Sequence, residues 1–421
     1  MTDADPYQML SPETLAARLG QVAAVTQQVG ADTSQWQIDE VSDGDLNLVF
    51  IVSGPGGRVV VKQAMPYIRA IGESAPLPVE RISQEHQALI RQGQRAPGSV
   101  PDVLHLDAAQ ALLVMDYLAP PYVTLRQRLI AGEQVDGLAP FLGTFLARTG
   151  FRGSELSMDQ ADKQADAALF SRTGAVASLT QGDVFTEAYL PGEGAAHTPG
   201  IEPVVKQLQS DPVLKQRAQE MLMRFVTNSE TLLHGDLHTG SIMTTDKAAR
   251  VIDPEFAQYG PFGFDLGMLV GHLLAAYFSQ TAHRDEAALK PYQDWILSTI
   301  TELCAAFKEE FYRLWLSERS GRLFPKALFE DQGQTSTHNC DWIMNGLWRD
   351  AWLVCGVEMH RRVLTRASIA DFQEVEDTAL RATLEARTLM MGASLILQAD
   401  TMPDAAAVCA MARVFNGRDV L

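Results

Sequence analysis

Two segments in the second half of the chain carry residue types suited to phosphoryl transfer. One contains His234-Gly-Asp236, and the other contains Asp253-Pro-Glu255. Short apolar runs predict strands beside both segments, so the carboxylates of Asp236 and Asp253 should converge on one pocket. Phosphoryl transfer needs one carboxylate that orients and deprotonates the attacking hydroxyl and others that hold Mg²⁺ on the phosphates. We expect Asp236 in the first role and Asp253 with Glu255 in the second.

Each of these residues also has a purely structural interpretation. Asp after Gly is a common turn residue, Asp-Pro initiates turns, and a lone histidine such as His234 is more often a partly buried packing residue than a catalyst. The functional hypothesis therefore depends on the combination of these residues between apolar strands, and on no single one of them.

The elements that position these carboxylates are predicted to be a small β island within a mostly helical region. Strands are expected at 231–234, 242–244 and 250–252, with Asp246 and Lys247 in the last turn. The surrounding apolar spacing is helical and predicts helices at 125–149, 204–228, 266–280, 292–318, 336–366 and 378–397. Residues 191–200 are rich in Gly and Ala and predict an exposed loop.

The first part of the chain has the alternation typical of strands. Apolar runs at 46–52 and 59–61 flank Gly54-Pro-Gly-Gly57, which predicts a hairpin. A helix at 79–91 and strands at 103–106 and 111–116 follow, and the pattern ends at Pro120-Pro121. The sequence therefore predicts an α+β protein with two domains, residues 1–117 and residues 118–421.

Composition limits the partners and the compartment. The formal net charge of −18 argues against nucleic acid or an anionic membrane as the main partner, and it requires local cations or a metal if a triphosphate is to bind. The four cysteines show neither zinc-ligand spacing nor a disulfide pattern. The N-terminal residues lack the apolar core of a secretory signal, and no run is long enough for a spanning helix, so we expect a cytoplasmic protein.

The two acidic segments resemble the catalytic and metal-binding loops of the aminoglycoside phosphotransferase and choline kinase superfamily, whose members share the protein-kinase fold. More narrowly, residues 234–242 and 253–265 are similar to the signatures of the methylthioribose kinase family. Residues 43–50, 61–67, 347–350 and 357–362 resemble further motifs of that family in the same order. The resemblance thus covers about residues 36–375.

The resemblance implies a two-lobed, protein-kinase-like fold with a β-rich nucleotide-binding lobe and a larger, mostly helical catalytic and substrate-binding lobe. It implies a kinase that uses ATP and Mg²⁺ to phosphorylate the 1-hydroxyl of 5-methylthioribose in methionine salvage, and a homodimer would match it. The residues it assigns to ATP are Asp45, Asn47, Lys62, Glu85, Asp116, Tyr117, Leu118, Asp253, Pro254 and Glu255. Those it assigns to the sugar are Asp236, Arg349, Arg361 and Arg362.

Several of these assignments leave alternatives open. Lys62 should pair with a glutamate, for which Glu85 is favoured over Glu80 and Glu73. Asp45 stands where the family pattern has Asn, and an acidic side chain facing phosphate would be unfavourable. Ser241 occupies the position of the metal-binding Asn of protein kinases, so Glu255 is expected to supply that ligand.

The predicted helix at 336–366 raises a geometric question about the sugar site. Arg349 precedes Arg361 by more than three helical turns, so the helix must bend if both are to touch one ligand. Arginines on a helix are otherwise usually solvated or paired with acidic side chains. Asp265, at the start of another predicted helix, is first interpreted as an N-cap, although its kinase counterpart supports the catalytic loop from below.

Two other functions remain open. A kinase of the same superfamily acting on a cationic acceptor, such as choline or an aminoglycoside, would suit the acidic composition but not the arginine pair. A nucleotide-binding pseudokinase would typically have lost the lysine, the base or the metal carboxylate, and this chain keeps all three.

Overall fold

A five-stranded antiparallel sheet forms the centre of the N-terminal part of the protein. The structure is a computed structural model that describes residues 7–41, 46–69, 71–171, 174–191, 197–418 and 420. The sheet has the order β1-β2-β3-β7-β6, and β4 and β5 form a separate small hairpin. The strands are β1 Gln37–Val41, β2 Asn47–Gly54, β3 Gly57–Ala64, β4 Tyr67–Ile68, β5 Gly72–Pro76, β6 Val103–Asp107 and β7 Leu112–Asp116. Helices α1 (Pro12–Leu19), α2 (Ala23–Val29) and α3 (Arg81–Arg95) accompany the sheet.

The predicted hairpin is confirmed, and it sets the position of Lys62. Strands β2 and β3 pair from Gly54 opposite Gly57 to Asn47 opposite Ala64. Helix α3 buries one face, including Ile82, Glu85 and Leu89, as expected for residues spaced three to four apart. Because that face meets the sheet, Glu85 is brought to the buried end of the Lys62 side chain.

The rest of the chain is mostly helical. Its helices are α4 Leu125–Ala131, α5 Leu138–Arg152, α6 Gln160–Phe170, α7 Gly174–Phe185, α8 Glu202–Ser210, α9 Pro212–Thr227, α10 Phe264–His283, α11 Glu286–Ser317, α12 Thr337–Leu364, α13 Ala370–Gln373, α14 Thr378–Gln398 and α15 Ala405–Asn416. A sheet-rich N-terminal part followed by a helical C-terminal part confirms the predicted α+β class. Strand β7 ends at Asp116, and the division into domains 1–117 and 118–421 stays a prediction.

Helices α10 and α12 form the interior of this helical part. Every residue of α10 from Phe264 through Gln280 is buried, and so is every residue of α12 from Asp350 through Leu364. Burial among other helices accounts for the apolar character of α10. Within the described part of the chain, no helix combines the length and the apolar character needed to cross a membrane.

Two helices predicted as continuous are each divided in two. The predicted helix at 125–149 is α4 and α5, because Gly132 adopts a left-handed conformation (φ 81°) that ends α4. The predicted helix at 204–228 is α8 and α9, because the side chain of Asp211 caps the amides of Val213 and Leu214 and Pro212 begins the second helix. Helices α6 and α7 were not predicted.

The predicted β island belongs to two separate small sheets. Strands β10 (Ile242–Thr244) and β11 (Ala249–Val251) form the predicted hairpin, and β8 (Val123–Thr124) pairs with β10. Strand β9 (Thr231–Leu232) pairs instead with β12 (Tyr259–Gly260). Of the loop predicted at 191–200, residues 192–196 lie outside the described residues.

Candidate active site

Asp236 lies in the loop after β9 and is held by donors at both carboxylate oxygens. Its Oδ1 lies 3.3 Å from Nη1 of Arg361 and 3.0 Å from Nη2 of Arg362. Its Oδ2 lies 3.4 Å from Nε2 of His238. Burial would raise the pKa of Asp236, but His238 and the two arginines outweigh it and hold the pKa well below its usual value. Asp236 is therefore an ionised hydrogen-bond acceptor.

This electrostatic setting predicts how Asp236 titrates. A depressed pKa means that the carboxylate form persists at every pH above the lowered value and is lost only as the pH falls through it. We expect the Cγ signal of Asp236, assigned with Asp236→Asn in a ¹³C NMR titration, to stay constant from about pH 5 to about pH 9. A titration step between these limits would contradict the ion pairing seen here.

Asp265 supports the loop from below. Its Oδ2 accepts a hydrogen bond from the His234 amide at 2.7 Å, and its Oδ1 accepts one from the Gly235 amide at 3.0 Å. Gly235 has φ 90°, and a Cβ there would lie 2.1 Å from the carbonyl oxygen of Phe256. The N-cap interpretation of Asp265 was wrong, since α10 begins at Phe264 and its cap is Gly263.

Replacing Asp265 with Asn tests this support. We expect the loss of about 1–3 kcal/mol of folding free energy, because an amide nitrogen then faces one of two buried backbone donors. We also expect a lower kcat, because the loop that carries Asp236 shifts. Thermal unfolding and steady-state kinetics measure the two effects.

Glu230→Gln is the matched control for Asp265→Asn. The Glu230 carboxylate accepts the Phe262 amide at 2.8 Å and does not touch the Asp236 loop. It should lose stability and keep its kcat. Normal turnover by a folded Asp265→Asn variant would show that the support is not needed for catalysis.

A buried glutamate holds the two arginines toward Asp236. Glu358 lies three and four residues before Arg361 and Arg362 on α12, a spacing that places all three on one helix face. Its Oε2 is 3.3 Å from Nη1 of Arg361, and its Oε1 contacts Nε of Arg362 and lies 3.0 Å from Nε2 of His272. Burial would raise the pKa of Glu358, but the arginines lower it. The charges of Arg361 and Arg362 are thereby balanced by Glu358 on one side and by Asp236 on the other.

Lys62 lies between two carboxylates from different parts of the chain. Its Nζ is 2.9 Å from Oε1 of Glu85 and also contacts the carboxylate of Asp253. Of the three glutamates considered from the sequence, Glu85 makes this pair, whereas Glu73 and Glu80 are exposed. Burial would lower the pKa of Lys62, but the facing carboxylates raise it. The lysine is therefore a fixed positive charge.

Negative charge is in excess around this lysine. Glu85, Asp253 and Glu255 each offer an oxygen within 4.8 Å of the others. Burial raises the pKa of Glu85 to about 8 despite Lys62, and Oε2 of Glu85 is buried without a hydrogen-bond partner in the described part of the chain. Carboxylate oxygens suit hard divalent cations, and such a cation would relieve the excess charge. The residues present therefore fit a divalent metal beside the lysine.

Local backbone geometry and a contact across the site orient the two expected metal ligands. Asp253 has φ 67°, a left-handed conformation that Asp and Asn tolerate better than most residues. Its side chain is 44% exposed and so can reach a ligand. Glu255 is buried and accepts a hydrogen bond from Nδ2 of Asn47 at 2.7 Å. Pro254 between them is buried, and its carbonyl oxygen accepts the Ala257 amide.

The segment expected to contact adenine continues from the end of β7. The side chain of Asp116 accepts a hydrogen bond from Nε2 of Gln28 at 2.9 Å. The guanidinium carbon of Arg58 lies 5.5 Å from the ring centre of Tyr117. Leu118 is half-buried. Asp45, assigned to the nucleotide from the sequence, lies outside the described residues.

The structure does not bring Arg349 to the other two arginines. Helix α12 is continuous, so Arg349 lies about 18 Å along the axis from Arg361 at about 1.5 Å per residue. Its Nε is 3.1 Å from Oδ1 of Asp350. It lines a separate cavity of about 800 Å³ with residues such as Phe324 and Trp342. The bend that a shared ligand would require is absent from the described helix.

Several residues of the site were not singled out from the sequence. His238, Glu358 and Arg81 contact assigned residues directly; Arg81 donates from Nη2 to Oδ1 of Asn47 at 3.2 Å. Ser241, considered as a metal position, donates its hydroxyl to the carbonyl oxygen of Asp236 at 3.0 Å. The spacing of Glu358 before the arginine pair is a helical ion-pair signal that could have been found.

Comparisons with known proteins agree with this geometry. A family model described as "Phosphotransferase enzyme family" matches residues 37–295. The methylthioribose kinase of Escherichia coli O45:K1 (strain S88 / ExPEC) is 35% identical over 419 residues, which cover 98% of this chain and 100% of that protein. Methylthioribose kinase 1 of Oryza sativa subsp. japonica is 36% identical over 388 residues, which cover 91% of this chain and 90% of that protein. The structure of a glucosamine kinase solved with glucosamine, ADP and phosphate has a TM-score of 0.48 to this protein at 18% sequence identity. The match covers 90% of this chain and 84% of the glucosamine kinase chain.

The fold, the site and the family match define a kinase-like phosphotransferase with an alcohol group as acceptor, which uses ATP. The sequence identities to two methylthioribose kinases, and the large share of each chain that they cover, narrow this class to one family. The chain belongs to the methylthioribose kinase family, which confirms the resemblance seen in the motifs.

Proposed function

We propose that the protein transfers the γ-phosphoryl group of ATP to the 1-hydroxyl of 5-methylthioribose and releases 5-methylthioribose 1-phosphate and ADP, a step of methionine salvage. The observation that carries the proposal is the placement of Asp236 between Arg361, Arg362 and His238. The names of the relatives supply the substrate.

Each assigned residue then has a role in the reaction. Asp236 accepts a hydrogen bond from the 1-hydroxyl and receives its proton as the O–P bond forms. Because its pKa is depressed, it is a weak base, and it acts mainly by orienting the hydroxyl. Arg361 and Arg362 donate to the sugar and to the charge that develops on the transferred group.

The nucleotide side of the site uses the other charged cluster. Lys62 binds the α- and β-phosphates, and Asp253 and Glu255 would hold Mg²⁺. When bound, the metal ion would neutralise phosphate charge and reduce the repulsion between the three carboxylates and the nucleotide. The contributions of Asp45, Asn47, Glu85, Asp116, Tyr117, Leu118 and Pro254 to ATP binding are proposed from the family resemblance alone. Arg349, which the resemblance assigned to the sugar, is not included, because the continuous α12 keeps it away from Asp236.

The arginine pair favours a neutral acceptor over a cationic one. The guanidinium groups at Asp236 present hydrogen-bond donors, which suit a neutral hydroxyl. An ammonium or an aminoglycoside amine would need clustered carboxylates or aromatic faces. The lysine, the candidate base and the metal carboxylates are all present, and Lys62 contacts both Glu85 and Asp253, which speaks against a pseudokinase. We further propose a cytoplasmic enzyme that acts as a homodimer and has neither nucleic acid nor membrane as its partner.

ADP release with Mg-ATP tests the substrate assignment. The acceptors are 5-methylthioribose, ribose, choline and an aminoglycoside, each at several concentrations. We expect turnover with 5-methylthioribose and little with the other three. Turnover with a cationic acceptor alone would keep the kinase activity and reject the sugar, whereas ADP release that is independent of every acceptor would reject both.

A further inference from the structure

His238 touches Asp236 and is itself held by the loop it lies in. Its Nδ1 accepts hydrogen bonds from the amides of Gly240 at 3.0 Å and Ser241 at 3.1 Å. Its Nε2 faces Oδ2 of Asp236 at 3.4 Å. The two ring nitrogens therefore meet groups of opposite hydrogen-bonding character.

These contacts determine which nitrogen carries the proton. A protonated Nδ1 would point its hydrogen at two amide hydrogens, so Nδ1 is the unprotonated acceptor. The hydroxyl of Ser241, 3.1 Å from Nδ1, donates instead to the carbonyl oxygen of Asp236. The remaining proton belongs on Nε2, which lies 3.4 Å from Oδ2 of Asp236, and the ring is neutral.

The His238 ring is packed on two sides. A Cβ at Gly240 would lie 2.9 Å from Cε1 and 3.0 Å from Nδ1 of His238. Because glycine has no Cβ, the ring can pack directly against the backbone of residue 240. On another side the ring of His272 packs at 5.2 Å between ring centres. Arg126 lies beyond Gly240, where its Nε approaches Oγ1 of Thr239 at 3.3 Å. These contacts, together with the two amide hydrogen bonds to Nδ1, favour the observed orientation of the ring.

We propose that neutral His238, protonated at Nε2, is a positioning residue that orients Asp236 for the acceptor hydroxyl. A carboxylate oxygen has about two lone-pair directions. Oδ1 already receives two guanidinium donors, whereas among the residues that the structure describes Oδ2 faces only the His238 donor, so Oδ2 is the oxygen that accepts the hydroxyl. His238 does not relay the proton, because Nδ1 is occupied by amides. This proposal rests on the proposed function of Asp236.

Two substitutions separate the two hydrogen-bonding roles of the ring. His238→Asn keeps an acceptor near the position of Nδ1 but removes the donor to Asp236. His238→Gln keeps a donor near the position of Nε2 but removes the acceptor for the loop amides. His338→Asn, at an exposed position of α12, is the control and should match the unsubstituted protein.

We expect His238→Asn to lower kcat by about 10- to 100-fold with KM for ATP and Tm nearly unchanged, the effect of losing one hydrogen bond to a charged group. His238→Gln should keep more of kcat but have a lower Tm. A merely structural role predicts the reverse, with Asn harmless and Gln impaired, and that result would overturn the proposal.

A ¹⁵N NMR spectrum of the unsubstituted protein tests the proposal without any acceptor or turnover. The His238 signals, assigned with His238→Asn or, if that variant does not fold, with His238→Gln, should show a protonated Nε2 and an unprotonated Nδ1 near neutral pH. A proton on Nδ1, or on both nitrogens, would overturn the proposal. Because no substrate is present, this outcome is independent of whether 5-methylthioribose is the acceptor.

Discussion

Asp236→Asn is expected to lower kcat by about 10²- to 10⁴-fold, the range for loss of a positioned acid–base group. The amide keeps the shape of the side chain but cannot take the hydroxyl proton, and it turns one donor group toward Arg361, Arg362 or His238. KM for ATP should change little, since the nucleotide cluster around Lys62 is separate. Steady-state kinetics with 5-methylthioribose measures both constants.

The control for this substitution is Asp246→Asn in the exposed turn between β10 and β11, where the carboxylate pairs with Arg128. It removes the same charge at an exposed turn and should leave kcat unchanged. If Asp236→Asn retains more than about a tenth of the original kcat while folded, Asp236 is not the residue that aligns the acceptor.

Asp253→Asn is expected to reduce kcat by at least about 100-fold and to raise the Mg²⁺ concentration needed for half-maximal rate, because a metal interaction supplies several kcal/mol. Asn tolerates the left-handed backbone of this position (φ 67°), so the substitution removes charge without strain. A Mg²⁺ titration of the initial rate measures the effect.

Asp253→Ala distinguishes the effect of losing the metal ligand from the effect of backbone strain. It loses the same ligand and also forces alanine into the left-handed conformation, so it should match Asp253→Asn in its metal dependence and have a lower Tm. An unaltered Mg²⁺ requirement in Asp253→Asn would place the metal on other residues. A variant of Glu255 would then be examined next.

The sequence predicted the parts of the fold that follow from local patterning. The β2–β3 hairpin was found because alternating apolar runs flank a Gly-Pro-Gly-Gly turn, and Lys62 followed from its place in the second strand. The helices at 125–149 and 204–228 were wrongly joined because apolar spacing continued through Gly132 and Asp211. There the left-handed glycine and the capping carboxylate end the helix, whatever the spacing of the apolar residues.

The candidate site was predicted where its chemistry lies within short motifs. Asp236, Asp253 and Glu255 are each beside a strand end, so their placement followed from the chain. The sequence only favoured the pairing of Lys62 with Glu85. The structure shows that Glu85 lies on the buried face of α3, whereas Glu80 precedes that helix and Glu73 lies in β5. Contacts between segments that are far apart in the sequence could be identified only from the structure.

The arginines show the same limit more clearly. The resemblance assigned three arginines to the sugar: Arg349, Arg361 and Arg362. The distance along the helix between the first two already argued against a shared ligand unless the helix bends. The continuous α12 separates them, and only the arginine pair next to Glu358 reaches Asp236. The supporting roles of Asp265 and His238 depend on backbone amides, which a sequence motif does not display.

The central claim is most directly tested by the product formed from 5-methylthioribose and Mg-ATP. ³¹P NMR of the reaction mixture should show one new phosphomonoester signal coupled to the anomeric hydrogen, in an amount equal to the ADP released, and at most about a hundredth of that signal with Asp236→Asn in the same time. A phosphorus signal coupled to any other sugar hydrogen, or ADP without a sugar phosphate, would contradict the account.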